Sequence, residues 1–272
     1  METKIIAEIC YNHQGHIMTA KQMIDEAAEL GLWAVKFQKW DVDGLPDWKK
    51  EEERTDENAF GNTYYEHRKK LELSIKQLLK LKKYANDKGL VFICSGKDFI
   101  SITQLVENGF KWIKLPSQRY KDNKIFKYLL ANKKKRKLKI IVSTGMRHEN
   151  EILNSKWIQH ADVIMHCISL YPAKPEDCNI AFMRKHKFYN GYSSHEDRGK
   201  AIVPAVCAGA KYIERHYTFD ITEKGSDHAI SSDYNEMKNI IKQIEEIEPT
   251  LGDGNRNITE KELQVREIYK RF

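Results

Sequence analysis

The sequence Ile213–His228, I-E-R-H-Y-T-F-D-I-T-E-K-G-S-D-H, joins a short apolar strand to a polar loop. The strand ends in Glu214, Arg215 and His216, and the loop that follows carries Asp227. A strand that delivers a carboxylate, a cation and an imidazole at its C-terminal end indicates a binding or catalytic site there, because a core position would be apolar.

A second segment, Gly191–His195 (G-Y-S-S-H), has the same design and also ends in a histidine. Two histidines at the ends of adjacent strands can share one divalent cation, so His195 and His216 are predicted metal ligands. Glu8 and Asp227 are available as oxygen donors. Mixed imidazole and carboxylate ligands suit manganese, iron, cobalt or zinc.

The chain alternates between strand-like and helical runs about eight times, from Lys4–Ile9 to Lys211–Arg215. This pattern predicts a TIM (β/α)8 barrel over residues 1–254, followed by a polar tail or linker over residues 255–272. A doubly wound sheet is the alternative, but no G-x-G-x-x-G follows the first strand. The long acidic and aromatic segment Asp41–Tyr65 is predicted to form an extended loop, either a lid or a contact with a second subunit.

Composition limits the classes of function. The 272 residues carry a net charge of +7 and are 41% hydrophobic, which suits a globular protein with an anionic substrate. The basic run Lys133–Lys137 lacks interleaved aromatic residues, so we expect a solvated connection and no nucleic-acid partner. The five cysteines show no metal-binding spacing, which predicts reduced thiols in a cytoplasmic protein. Without an apolar run of ~20 residues, no membrane partner is expected.

In a barrel, the C-terminal ends of all strands meet at one face. Two cations, Lys36 and Lys114, would meet there with a set of hydroxyls that could hold a phosphate: Ser95, Ser117, Ser143, Ser169 and Ser193. Glu8, Tyr171 and Asp227 are predicted to exchange protons with hydroxyls or water. A phosphorylated substrate beside a metal and carboxylates indicates carbonyl polarisation and carbon–carbon bond formation.

Seven segments, in order, resemble the sialic acid synthase (N-acetylneuraminate synthase) family, whose members condense phosphoenolpyruvate with an amino sugar. They are I-I-A-E-I-C-Y-N-H-Q-G, A-V-K-F-Q, I-K-L-P-S, V-S-T-G-M, M-H-C-I-S-L-Y-P-A, G-Y-S-S-H, and Y-I-E-R-H-Y-T-F-D with G-S-D-H, and together they span most of residues 4–254. The resemblance implies that a cation, Mn²⁺ or Mg²⁺, polarises the acceptor aldehyde. Carbon 3 of phosphoenolpyruvate then attacks it, water adds at carbon 2, and phosphate leaves by C–O cleavage.

The resemblance also implies roles for individual residues. His195 and His216 match the metal ligands, and Glu8 matches an acid beside the reacting carbons. The residues that match contacts to phosphoenolpyruvate are Lys36, Ser95, Lys114, Ser117, Ser143, Ser169 and Ser193. Those that match contacts to the acceptor sugar are Gln38, Tyr171 and Asp227.

The sequence departs from the family pattern in two places. After I-K-L-P-S the family has a glycine and then an acid that contacts the amino sugar, whereas this chain has Gln118 and Arg119. Arg119 at an acceptor position predicts a different, phosphorylated or acidic, aldehyde as the alternative acceptor. The chain also ends about where the family's antifreeze-like C-terminal domain begins, so a catalytic barrel alone is expected. A separate chain then supplies that domain, this protein holds its acceptor in another way, or the sequence is cut short; a homodimer is the other partner expected.

One further alternative is a non-catalytic barrel that binds a sugar or phosphate. The joint presence of Glu8, Lys36, Lys114, His195 and His216 argues against it, since a simple binding protein does not need both a metal pair and an acid.

Overall fold

The computed structural model describes residues 2–270 and contains a closed barrel of eight parallel strands in sequential order, which confirms the predicted fold. The strands are β1 (Lys4–Cys10), β2 (Ala34–Lys39), β3 (Val91–Gly96), β4 (Trp112–Leu115), β5 (Lys139–Ser143), β6 (Val163–Cys167), β7 (Gly191–Ser194) and β8 (Tyr212–His216). β1 pairs with both β2 and β8, which closes the sheet.

Helices surround the barrel: α1 (Ile17–Glu29), α2 (Asp47–Lys50), α3 (Tyr64–Leu71), α4 (Ile75–Asp87), α5 (Phe99–Glu107), α6 (Asn123–Arg136), α7 (Glu149–Leu153), α8 (Ala181–Lys185), α9 (Ile202–Cys207), α10 (Tyr234–Leu251) and α11 (Glu260–Tyr269). Short 3₁₀ turns occupy Ser117–Arg119, Ile158–His160, Pro175–Asp177, Asp197–Gly199 and His228–Ile230. In the described part of the chain, no helix has the combined length and apolar character that a membrane crossing requires.

The interior of the barrel is apolar in its middle and polar at its C-terminal end. The middle layer is a cluster of fully buried side chains: Ile6, Ala34, Ile93, Ile141, Val163 and Met165. Because successive side chains of a strand point to opposite faces, the next inward positions toward the C-terminal end are the polar ones. Two examples are Glu8, which lies two residues after Ile6 on β1, and Lys36, which lies two residues after Ala34 on β2. The middle layer therefore forms an apolar base beneath the polar end.

The outward faces of the strands pack against the helices in a second, larger apolar core. The apolar spacing predicts one helix over Leu71–Asp87, which corresponds to α4 but begins only at Ile75. The helix before it, α3, was not predicted; the chain leaves the helical conformation at Glu72 and restarts after Ser74. Ser74 caps α4 through a capping box with Gln77, in which each side chain bonds the other residue's backbone. This break turns α3 and its side chains toward the C-terminal face of the barrel.

The predicted loop Asp41–Tyr65 contains α2 and an antiparallel bridge between Glu53 and Thr63. It packs on the loop after β8, where the Gly225 amide donates to Asn58 Oδ1 at 2.9 Å. The predicted tail, residues 255–272, contains the exposed helix α11. Residue 1 of the predicted barrel and residues 271 and 272 of the predicted tail lie outside the described residues.

Candidate active site

Two lysines and two glutamates form a buried cluster on the floor of a cavity at the C-terminal end of the barrel. The register places Glu8 beside Lys36, and the Lys36 ammonium contacts the Glu8 carboxylate. Lys36 Nζ also donates to Ser95 Oγ at 3.1 Å and lies 3.6 Å from Glu214 Oε1. Lys114 Nζ lies 2.5 Å from the same Glu214 oxygen. The cluster pairs two cations with two carboxylates, and all four side chains are almost fully buried.

Burial and pairing set the charges on the floor. Burial raises the pKa of Glu214, but the ammonium groups of Lys114 and then Lys36 outweigh it and hold that pKa well below its usual range. Burial lowers the pKa of Lys36 to about 7, and the attraction of Glu214 only partly offsets this. Lys36 is therefore a cation near its titration point, and an anion bound beside it would favour its protonated form.

Five serine hydroxyls line the same cavity: Ser95, Ser117, Ser143, Ser169 and Ser193. Ser193 donates to Glu214 Oε1 at 3.0 Å, whereas Ser143 Oγ is buried without a hydrogen-bond partner among residues 2–270. A Cβ at Gly145 would lie 2.3 Å from Ser169 Oγ and 2.8 Å from Ser117 Oγ. Only glycine lets the backbone come this close to both hydroxyls, which explains its place after β5.

His195 and His216 lie side by side at the ends of β7 and β8, with ring centroids 5.6 Å apart. His195 Nδ1 lies 2.8 Å from the Ile168 carbonyl oxygen, which can only accept. Nδ1 therefore carries the proton, and Nε2 keeps its lone pair. Burial lowers the pKa of His195 to about 4, and burial, followed by the charge of the neighbouring His195, holds the pKa of His216 well below its usual value. Both rings are neutral at ordinary pH, as metal ligands must be.

The donor set at this place fits a divalent cation. His216 Nδ1 is buried, and it has no hydrogen-bond partner in the described chain. Cys10 Sγ, a His216 nitrogen and an Asp227 carboxylate oxygen lie within 4.8 Å of one another. Tyr171 covers the pair of rings from above, with its centroid 4.4 Å from that of His195.

The mouth of the cavity carries two more cations, Lys97 at the end of β3 and Arg68 on α3. The Arg68 guanidinium stacks on aromatic rings, 5.0 Å from the Trp40 centroid and 5.2 Å from that of Tyr64. Salt bridges occupy the floor lysines, but neither mouth cation has a carboxylate within 4.0 Å among residues 2–270. The mouth is therefore electropositive, unlike the floor, where cations and carboxylates are paired.

The structure brings together all but one of the predicted site residues. Those that line the cavity are Glu8, Lys36, Gln38, Ser95, Lys114, Ser117, Ser143, Ser169, Tyr171, Ser193, His195, His216 and Asp227. Arg119 does not line it. The 3₁₀ turn after β4 places Gln118 in the cavity wall, and Arg119 Nε donates to the Lys97 carbonyl at 2.5 Å.

Among the lining residues, Cys10, Arg68 and Lys97 were not predicted, and a fourth, Glu214, was placed at the site by the sequence but given no role. Glu214 lies two positions before His216 on the same strand, so the alternation that places the histidine directs the glutamate into the same cavity as well. Arg68 and Cys10 carried no such signal, because their positions depend on a helix break and on a bulged strand end.

A polar cavity of about 290 Å³ at the C-terminal end of a closed eight-stranded barrel defines a (β/α)8-barrel enzyme. The profile of the NeuB family matches residues 23–256. The chain therefore belongs to the NeuB family, as the sequence motifs predicted.

Individual relatives agree with this assignment. The N-acetylneuraminate-9-phosphate synthase of Mus musculus is 34% identical over 97% of this chain and 75% of its own length. The N,N'-diacetyllegionaminic acid synthase of Legionella pneumophila is 33% identical over 98% of this chain and 78% of its own. A crystal structure of the sialic acid synthetase of Leptospira borgpetersenii, in complex with citrate, superposes with a TM-score of 0.85 at 26% identity. The superposition covers 98% of this chain and 91% of the Leptospira chain.

Proposed function

We propose that this protein condenses phosphoenolpyruvate with the aldehyde carbon of an amino sugar or related aldose, giving a sialic-acid-like nonulosonic acid and inorganic phosphate. The observation that supports it best is the joint burial of Lys36 and Lys114 in one cavity with the His195–His216 pair. A floor of two ammonium groups suits a substrate with a phosphate and a carboxylate.

The floor would bind phosphoenolpyruvate through charge-assisted hydrogen bonds. Lys114 donates to Glu214, which leaves further N–H donors of that ammonium for the substrate. Lys36 contacts Ser95 and both glutamates of the floor, so it would exchange one of these contacts for a substrate oxygen. Ser143, whose buried hydroxyl has no partner in residues 2–270, supplies a neutral donor beside them. These groups would hold phosphoenolpyruvate with its carbon 3 toward the histidines.

The proposed reaction conserves atoms. Carbon 3 of phosphoenolpyruvate forms a bond to the aldehyde carbon, whose oxygen takes up a proton. Water adds at carbon 2, and the bond from carbon 2 to the phosphate-bearing oxygen breaks, leaving a ketone and inorganic phosphate. A divalent cation would make the aldehyde carbon more electrophilic when bound near its oxygen. Glu8 is the candidate to accept the water's proton, and Tyr171 and Asp227 face the acceptor side.

A phosphorylated acceptor is the second candidate, and the electropositive mouth favours it. Lys97 and Arg68, two cations without a carboxylate partner within 4.0 Å in the described chain, lie where the far end of an acceptor would reach. The relative in Mus musculus is named for a 9-phosphate product. Because the reaction adds three carbons at the aldehyde end, carbon 9 of such a product comes from carbon 6 of the sugar.

The test is a panel of aldehyde sugars, each with and without a 6-phosphate, incubated with the protein, phosphoenolpyruvate and a divalent cation. We expect acceptor-dependent phosphate release and a product heavier than the acceptor by the mass of pyruvic acid. Phosphoenolpyruvate labelled with ¹⁸O in the bridging position should give labelled phosphate, because the C–O bond breaks. Full turnover by His195→Ala in the presence of a chelator, or label retained in the organic product, would contradict the proposal.

A further inference from the structure

Three potential metal-binding groups converge in the cavity from the end of β1, the end of β8 and the loop that follows β8. Cys10 Sγ, a ring nitrogen of His216 and an oxygen of Asp227 lie within 4.8 Å of one another. Because no separation exceeds 4.8 Å, some point lies within about 2.8 Å of all three atoms, whereas metal bonds to these atoms measure ~2.0 to 2.3 Å. Movements of about half an ångström would therefore bring all three to bonding distance of one ion.

The backbone at Cys10 is bent in a way that simple packing does not require. The pairing of β1 with β2 slips between Glu8 and Cys10, so that Cys10 lies opposite Phe37. Cys10 itself has a φ of 50°, in the left-handed region that a side chain with a Cβ rarely adopts. Bulges and strained residues of this kind occur beside active sites, where they re-aim a side chain.

Hydrogen bonds hold two of the contributing segments together. Asn12 Nδ2, two residues after Cys10, donates to the Tyr217 carbonyl at 2.8 Å and to Ser231 Oγ at 2.9 Å. Ser231 Oγ in turn donates to the Asp227 carbonyl at 2.6 Å. These bonds tie the turn after β1, which follows Cys10, to the loop that carries Asp227. They therefore restrict the distance between the thiol and the carboxylate.

The pair of side chains is already in contact, since Cys10 Sγ donates to Asp227 Oδ2 at 2.6 Å. His216 Nδ1, by contrast, is buried without any partner among the residues described. A bound ion would take the place of the thiol proton between sulfur and carboxylate and would satisfy an imidazole nitrogen. The buried nitrogen without a partner within residues 2–270 is a second observation, separate from the three-residue cluster, that indicates a ligand on the His216 ring.

We infer that Cys10, His216 and Asp227 bind one divalent transition ion, with Cys10 as a thiolate whose proton passes to solvent when the metal–sulfur bond forms. His195, with its ring 5.6 Å from that of His216, is available as a further ligand. A thiolate favours Co²⁺, Zn²⁺ or Fe²⁺ over Mg²⁺, which prefers oxygen. This inference deepens the proposed function by naming the ligands of its cation, and it rests on that function only for the ion's role.

The test reads the metal–sulfur bond directly. The full-length protein, freed of metal under reducing conditions, is titrated with Co²⁺ and followed in the near ultraviolet, where sulfur-to-cobalt charge transfer absorbs. We expect the band in the wild type and its loss in Cys10→Ser. The matched control is Cys167→Ser, because Cys167 lines the same cavity outside the three-residue cluster, and this variant should keep the band. Asp227→Asn should weaken Co²⁺ binding at least about tenfold.

Cobalt that binds to the wild type without the charge-transfer band would overturn the inference and leave a histidine-only site. So would a band that survives in Cys10→Ser. If Cys10→Ser fails to fold, the ¹¹³Cd chemical shift of the cadmium-loaded wild type still reports whether sulfur is a ligand. None of these measurements uses turnover, so failure of every acceptor to release phosphate would reject the proposed function while the metal site stands.

Discussion

The floor and the mouth of the cavity both carry two cations, yet they are built differently. On the floor, Lys36 and Lys114 are 3% and 5% exposed, come from strands, and are paired with glutamates. At the mouth, Lys97 and Arg68 lie at a strand end and on α3, half-buried and without a carboxylate within 4.0 Å in residues 2–270. The charges of the floor are paired and are held by strands. The charges of the mouth have no such partners among the described residues, and their positions depend on a helix and on loops.

This difference fits the two proposed substrates, because one of them would be common to all relatives and the other would vary among them. Phosphoenolpyruvate would be the same in every enzyme of this chemistry, and a strand-built floor can hold its charges in one fixed arrangement. The acceptor sugar differs among relatives, as the names of the sialic and legionaminic acid synthases show. A mouth made by α3 and loops can change without disturbing the barrel.

The largest effect should come from breaking the floor. In Lys114→Met, Glu214 loses its partner at 2.5 Å and keeps only the more distant Lys36 ammonium, at 3.6 Å, as a buried countercharge. We expect kcat/KM for phosphoenolpyruvate to fall on the order of 10³-fold, because a buried charge that stabilises the transition state is removed. The free energy of unfolding should fall by about 3–5 kcal/mol, measured by denaturant titration.

A matched variant separates catalysis from stability. Lys39 is also buried, at 8% exposure, and its Nζ lies 2.6 Å from Glu72 Oε1, but it does not line the cavity. Lys39→Met should destabilise the protein comparably while kcat/KM for phosphoenolpyruvate stays within about threefold of wild type. A parallel loss of activity in both variants would mean that the floor charges only stabilise the barrel.

A smaller effect is expected at the mouth, and it should depend on the acceptor. In Lys97→Gln, KM for a phosphorylated acceptor should rise roughly 10- to 100-fold, since one charge-assisted hydrogen bond is lost. KM for phosphoenolpyruvate and KM for a neutral acceptor should barely change. Steady-state kinetics with both forms of one sugar measures this directly.

Arg119→Gln is the informative comparison at the mouth. The sequence motif assigned the acceptor contact to Arg119, but its guanidinium bonds the Lys97 carbonyl outside the cavity wall. If Arg119→Gln raises the acceptor KM more than Lys97→Gln does, the acceptor binds differently from the way the cavity suggests.

The floor could be predicted from the sequence because few physical rules determine it. Alternation along strands and the common C-terminal face of a barrel place Lys36, Lys114, His195 and His216 together without any knowledge of loops. Glu214 obeys the same rules, and the sequence places it at the end of β8 beside His216. Its role as the shared partner of two lysines depends on contacts between strands that are far apart in the sequence.

The mouth and the thiol could not be predicted in this way. Arg68 reaches the cavity from α3, a helix that the sequence pattern did not identify and that a non-helical turn at Glu72–Ser74 separates from α4. The orientation of Cys10 depends on a bulge and a left-handed backbone that no local pattern signals. Both features arise from tertiary packing, which overrides sequence periodicity.

The smallest effect should appear in the pH dependence of the floor. Burial lowers the pKa of Lys36 to about 7, so the free enzyme loses this cation as the pH rises through that value. Since kcat/KM reports groups of the free enzyme, kcat/KM for phosphoenolpyruvate should break near pH 7 and then fall by up to about tenfold per pH unit. In Lys36→Arg the guanidinium stays charged, and the break should disappear. A break that persists in Lys36→Arg would assign it to another group, with Lys97 at the mouth, whose pKa burial also lowers, as the first candidate.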